Sequence, residues 1–314
     1  MAGKKILLTG ATGYIGGTVL STLLNSEAES ITGAAISVLV RGEHQAGVLK
    51  DKGLTTIDFK GFGDDDALRE AASEHDVVIN TASGFEDGFA ASLIRGLAER
   101  KNALGVDVHY IHTSGTTNYA NSPTLNLYPG YNADLVSDKA TAQVVSTLRH
   151  LNEQTPYAQR TTDLAVLSVG KETGVRTHII TMPMLFGFGT GFFRKLTGQL
   201  PILMGEALRE KQMWIVGDGT GVKQHVHIED GAAVYELVLR RVFEGLEVPS
   251  GEEGVIFVEN GEHRWNEAGE AIAEVGRRLG VLDTEQVRRL SLEEAGKALG
   301  IEDINYVEAA YAST

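Results

Sequence analysis

Residues 4–16 read Lys-Lys-Ile-Leu-Leu-Thr-Gly-Ala-Thr-Gly-Tyr-Ile-Gly. A short apolar run, fit for a buried parallel strand, meets a turn with glycines at Gly10, Gly13 and Gly16, and an amphipathic stretch follows to about residue 25. Strand, glycine-rich turn and helix in that order restrict the fold more than any bulk property does. Glycines at these points permit a tight turn, let the backbone approach a pyrophosphate, and let the helix pack closely on the sheet. Phosphates then meet unpaired N–H groups at a helix N-terminus, where the macrodipole favours negative charge. Gly10, Thr12, Gly13, Tyr14, Ile15 and Gly16 are therefore candidate phosphate-binding residues.

Strand-like segments at 4–9, 36–40, 54–59, 77–80, 106–113 and 176–181 alternate with helical patterns at 15–25, 65–73, 89–104 and 161–173. That alternation predicts an α/β fold, a doubly wound parallel sheet with crossover helices. Residues 115–156 break the rhythm and read as an insertion at the sheet's C-terminal edge, where open α/β sheets bind ligands. From about residue 186 the composition changes to turn residues and short apolar runs. The 314 residues suffice for a large unit and a smaller lobe. The expected division is a dinucleotide-binding domain over 1–183 and a substrate lobe over 184–314, with 217–245 returning to the first domain.

The formal net charge of −14 lacks the electrostatic footprint of a nucleic-acid binder. Zero cysteines exclude disulfides and thiolate chemistry. No stretch approaches the roughly 18–20 apolar residues that a membrane span needs. The expectation is a cytoplasmic protein that uses neither membrane nor nucleic acid and binds a small-molecule substrate. A second copy of the chain, in a homodimer, is the candidate protein partner.

The spacing over residues 9–16 is Thr-Gly-x-x-Gly-x-x-Gly. It resembles the extended and atypical branches of the short-chain dehydrogenase/reductase superfamily, with its epimerase/dehydratase-like and NmrA-like members. The resemblance continues through Gly217-Asp218-Gly219 and His225-Val226-His227 to Asp230, and on through 255–261 to about residue 280. It implies a Rossmann sheet, a smaller C-terminal α/β substrate lobe and a nicotinamide dinucleotide. Arg41 ends the second strand and the nearest acid is Glu43, which favours NADP over NAD, since Arg offers a fork of donors to a phosphate. Gly63-Asp64-Asp65 resembles the family element along the adenine, although Asp64 and Asp65 also suit a helix N-terminus. Thr81, Ala82 and Ser83 match the element beside the pyrophosphate and ribose, Thr113 lies on the fifth strand, and Pro183 and Leu185 match the element that meets the nicotinamide amide. Met182 stands where the family has Arg.

At the catalytic position the pattern breaks. The family's reductases use Tyr-x-x-x-Lys, in which the cation lowers the pKa of a phenol that is otherwise near 10. No Tyr-x-x-x-Lys occurs anywhere in this chain. The family's catalytic Ser or Thr falls near Gly115 or Thr116, with Ser114 just before. One alignment uses Ser137-Asp138-Lys139-Ala140, which puts Leu135 at the Tyr position. The other counts back from the sixth strand and offers Tyr157 with Arg160. The second is preferred, because its helix runs directly into that strand. Ser114, Thr116, Tyr157 and Arg160 are then the catalytic candidates, although Arg is a poorer proton relay than Lys. No metal site is expected, at His225 and His227 or elsewhere. Three readings stay open: an NADP(H)-dependent oxidoreductase on a small carbonyl or alcohol, a redox-neutral epimerase, dehydratase or isomerase, and an NmrA-like dinucleotide sensor.

Overall fold

The structure, a computed structural model, describes residues 3–133, 136–196 and 198–314. The first half runs β1 (Lys5–Thr9), α1 (Tyr14–Leu24), α2 (Glu29–Thr32), β2 (Ala35–Val40), α3 (Glu43–Asp51), β3 (Thr55–Asp58), α4 (Asp65–Ser73), β4 (Val77–Asn80), α5 (Asp87–Leu104), β5 (His109–Gly115), α6 (Thr141–Gln154), α7 (Ala158–Thr173) and β6 (Arg176–Met182). There follow β7 (Met184–Phe186), α8 (Gln199–Glu210), β8 (Trp214–Val216), β9 (Val222–His227), α9 (Ile228–Phe243), β10 (Val255–Phe257), β11 (Gly261–Arg264), α10 (Trp265–Arg278), β12 (Arg288–Leu290), α11 (Leu292–Leu299) and α12 (Ile304–Tyr311).

Seven strands form one parallel sheet in the order β10-β6-β5-β4-β1-β2-β3. Strand order reverses between β1 and β4, so the ligand crevice of such a sheet opens at their C-terminal ends. Helices cover both faces, which is why β1 and β4 read as unbroken apolar runs rather than alternating ones. Successive residues still point to opposite faces. Ile6 and Leu8 join one core with Val19, Leu20, Tyr235 and Leu239, whereas Leu7 joins the other with Phe89, Leu93, Leu97 and Val166.

The lobe contains a three-stranded sheet, β11-β9-β7, and a parallel β12-β8 pair. Its core gathers around Trp214, Trp265, Leu203, Val307 and Tyr311. Residues 115–156 hold more order than their composition conveys. Within them α6 packs Val144, Val145 and Leu148 into the core that α5 and α7 share, and also buries Leu151. The segments that come back to the central unit are α9, which packs on the α1 face, and β10, which extends the sheet beside β6. The Gly217-Asp218-Gly219 turn stays in the lobe, between β8 and β9. No described helix is long and apolar enough to cross a membrane.

Candidate active site

The glycine turn is locked to the tip of β4. Gly10 sits at φ +76°, and a Cβ there would come within 2.7 Å of the Ala82 nitrogen and the Thr81 carbonyl carbon. A Cβ at Gly16 would overlap Thr81 Oγ1 and the Gly10 carbonyl. Gly13 N–H donates to the Gly10 carbonyl at 2.8 Å and closes the turn. Thr81 Oγ1 donates to the Thr9 carbonyl (2.6 Å), and Thr9 Oγ1 donates to buried Asn80 Oδ1 (2.7 Å). Asn80 also holds the Ser83 carbonyl at 3.1 Å and the Ala82 N–H at 3.2 Å. No side chain caps α1 and no acid lies in its first turn. Its leading N–H groups are therefore left for an anion. A pyrophosphate fits this cradle, whose small residues leave room where any side chain would fill it. Tyr14 contributes backbone alone, because its hydroxyl donates to the carbonyls of Gly187 (2.8 Å) and Phe186 (3.1 Å).

At the other end of the crevice, Arg41 is exposed, with its guanidinium 5.7 Å from the Phe62 ring centre and 6.0 Å from that of Phe59. The two rings hold the cation in place without neutralising it. The acids after β3 are engaged elsewhere. Asp64 accepts from the Lys60 N–H at 2.9 Å, and Asp65 accepts from Ser92 Oγ at 2.8 Å. Both stand at the start of α4 as expected, Asp64 at the N-cap and Asp65 in the first turn, but neither caps it through a side-chain hydrogen bond. Thr113, placed among the cofactor contacts by sequence, instead joins strand to helix: its Oγ1 donates to the Asn80 carbonyl (2.8 Å) and meets the Tyr235 hydroxyl (2.6 Å).

A cleft of about 340 Å³ lies past the tips of β5 and β6. Thr116, Thr117, Gln159, Pro183 and Leu185 border it from the nucleotide-binding side, and Lys223, Tyr306 and Tyr311 from the lobe. Of the four candidate catalytic residues only Thr116 reaches it. Ser114 is buried, and its Oγ donates to Asp163 Oδ2 at 2.6 Å. Asn118 donates to the same oxygen at 2.7 Å, and His112 Nε2 lies 3.4 Å from the other. Residues alternate along β5, so His112 and Ser114 both face α7, which carries Asp163.

The Tyr157–Arg160 pair is also displaced from the chemistry. The Tyr157 hydroxyl is buried without a well-formed hydrogen bond, and burial pushes its pKa up to about 12. The Arg160 guanidinium stacks over the rings of Tyr128 and Tyr157, 5.0 and 5.3 Å from their centres. Its donors go to the Tyr128 hydroxyl (2.6 Å) and the Thr155 carbonyl (3.1 Å). The cation hydrogen-bonds Tyr128, and its field on the Tyr157 phenol is outweighed by burial. On the rival alignment, Lys139 borders a separate cavity and Leu135 lies outside the described residues.

Gln159 occupies the place that a side chain at Gly115 would take. A Cβ at Gly115 would sit 3.1 Å from both polar atoms of the Gln159 amide. Thr117 Oγ1 donates to Gln159 Oε1 at 2.9 Å, which fixes the amide and sets its NH₂ beside Gly84 and Gly115. The preferred alignment lands the family's Lys position near Gln159 or Arg160 but gives Gln159 no role, and Lys223, within the stretch from Gly217 to Asp230, was not singled out.

A family model described as the NAD dependent epimerase/dehydratase family matches residues 6–250. The chain belongs to this family. An oxidase, ucsJ, of an Acremonium species is 28% identical over 304 residues, covering 93% of this chain and 84% of the relative. An uncharacterized protein of Saccharomyces cerevisiae is 24% identical over 303 residues, covering 94% and 86%. Among solved structures, the dTDP-glucose 4,6-dehydratase DesIV of Streptomyces venezuelae, with NAD bound, superposes with a TM-score of 0.62 at 18% identity, covering 91% of this chain and 84% of that one. At that identity the epimerase/dehydratase likeness in structure speaks for the Rossmann fold alone.

Proposed function

We propose that this member of the epimerase/dehydratase family is an NADP(H)-dependent oxidoreductase acting on a small, largely apolar carbonyl or alcohol. The observation that carries the reading is an intact dinucleotide cradle beside a small apolar cleft. Phe85, Met182, Met184 and Ile202 border that cleft, and Lys223 is the one Lys or Arg of the described residues that does. A diphosphate-linked substrate would call for several cations or a second phosphate cradle. The oxidase among the relatives favours redox chemistry.

In this reading the turn over residues 10–16 holds the pyrophosphate, and Arg41 reads a 2′-phosphate. Thr81, Ala82 and Ser83 flank the ribose, and the backbone at Pro183 and Leu185 meets the nicotinamide amide. When bound, the nicotinamide supplies or accepts a hydride. The Gln159 amide and Thr116 hydroxyl orient the substrate oxygen, and the apolar cleft excludes water from it. The redox-neutral alternative draws on the epimerase/dehydratase family to which the chain belongs.

The deciding experiment titrates the protein with NADPH, NADP⁺ and NADH, then follows the nicotinamide absorbance against a panel of aldehydes and ketones. Tight NADPH binding with oxidation by an apolar carbonyl is the expected result. Binding with no net change in absorbance against any carbonyl would refute the oxidoreductase reading.

A further inference from the structure

We infer that Lys223 is the proton-transfer group of the cleft, serving the carbonyl or alcohol oxygen of the substrate where the family's Tyr–Lys pair is missing. The inference rests on the oxidoreductase reading. Lys223 lies on β9, is 6% exposed, and borders two cavities at once. One is the cleft, and the other, of about 380 Å³, is bounded by Tyr119, Lys139, Phe257 and Glu259 among others. Its Nζ donates to the Ala309 carbonyl (2.9 Å) and to Ser313 Oγ (3.0 Å). Two bonds satisfy a neutral amine and leave its lone pair over, while an ammonium on the same acceptors has one N–H over. Either protonation state therefore fits the site, with one position left for a substrate oxygen.

No carboxylate of a described residue ion-pairs with this amine. Burial without a counter-ion pulls the ammonium down to about 7, where acid and base forms coexist near neutral pH. The titratable groups around it are His263, opposite in the β9–β11 ladder, with His225 behind that ring, and Tyr306, Tyr311 and Glu308 of α12. Asp138, Lys139 and Glu259 face it across the second cavity. A purely structural lysine would be a poor choice here. The Ala309 carbonyl already accepts from Ser313 Oγ at 2.8 Å, so it stays satisfied without the amine.

In the reducing direction the carbonyl carbon gains a hydride, carrying two electrons, from a reduced nicotinamide dinucleotide. The C=O π pair moves to oxygen, one N–H bond of the Lys223 ammonium breaks, and an O–H bond forms. The neutral amine left behind takes a proton from water. Oxidation of the alcohol runs these steps in reverse, with the amine as base.

Two measurements test this. Competitive acetylation of the unliganded protein with acetic anhydride, read by mass spectrometry across pH, should place the Lys223 midpoint near 7, against roughly 10.4 for a lysine in a model peptide. A Lys223 that titrates with the surface lysines, or is not acetylated in the folded protein, overturns the proposal. In single turnover with NADPH and the best carbonyl of the panel, Lys223→Met should cut the rate by about 10²–10⁴-fold. NADPH affinity should hold and the melting temperature should stay level or rise, because Met keeps the apolar stem and removes an unpaired charge. Ser313→Ala takes one acceptor from the ammonium, so the wild-type fall in rate as pH rises through about 7 should move to lower pH. A Lys223→Met enzyme as fast as wild type overturns the proposal alone. A wild type that reduces no carbonyl overturns this proposal and the oxidoreductase reading together.

Discussion

Replacing Arg41 by Ala should separate NADPH from NADH. The guanidinium stands at the end of β2 over Phe59 and Phe62, with no ion pair to a described carboxylate. Hydrogen bonds to a charged partner contribute about 1.5–3 kcal/mol. Arg41 is exposed, and water and salt cut this to roughly 1–2 kcal/mol. At about 1.4 kcal/mol per decade, Arg41→Ala should weaken NADPH by about 5–30-fold. NADH has no 2′-phosphate and should bind as before. Calorimetric titration of both nucleotides at low and high salt reads the ratio directly, and the NADPH loss should shrink at high salt. Phe62→Ala, which leaves the charge and removes one of its supports, should reproduce a smaller part of the loss. Equal weakening of both nucleotides, or of neither, would refute Arg41 as the phosphate reader.

Gly16→Ala should destabilise the protein by about 1–3 kcal/mol in urea unfolding and abolish tight NADPH binding, since the new methyl overlaps the Gly10 carbonyl; unchanged unfolding and affinity would contradict the cradle. Tyr157→Phe removes a buried hydroxyl that does not border the cleft, so steady-state rates should stay within about twofold of wild type, and a large loss would return Tyr157 to the chemistry. Buried His109 and His178 share a 3.0 Å contact, and burial pulls their pKa values from 6.5 to about 3 and about 4. The unfolded chain binds protons that the folded one refuses, so stability is full above about 6.5 and falls as pH drops toward 4. His178→Gln should flatten part of that slope in denaturation measured across this range.

The first six strands and the phosphate turn were legible because each is a local pattern: an apolar run, a glycine spacing, a period. Helix α6 was passed over although Val144, Val145, Leu148 and Leu151 carry its helical spacing, because the Asn-, Pro- and Tyr-rich stretch before it read as one long excursion. The catalytic region was legible only as a departure. Ser114 and Asp163 are 49 residues apart, and nothing in either neighbourhood announces that β5 and α7 bring them into contact. Tyr157 and Arg160 have the spacing of a shared helix face, yet Tyr157 is the residue before α7 begins, and the cation turned to Tyr128. Lys223 was hidden for a different reason. Its environment is made by Ala309 and Ser313, 86 and 90 residues later in the chain.

The place of β10 has a consequence for how the molecule is made. Strand β6 pairs with β5 on one side and waits for Val255–Phe257 on the other, with the whole of β7 through α9 synthesised in between. Until those residues leave the ribosome, the nascent nucleotide-binding unit presents Ile179, Ile180 and Thr181 along an unpaired edge, a template for another chain. A fragment cut after residue 183 would keep that edge permanently and lose the α9 cover over Ile6 and Leu8. The cradle can therefore not be expressed as a module of its own: the sheet that holds it is completed from inside the other half of the chain.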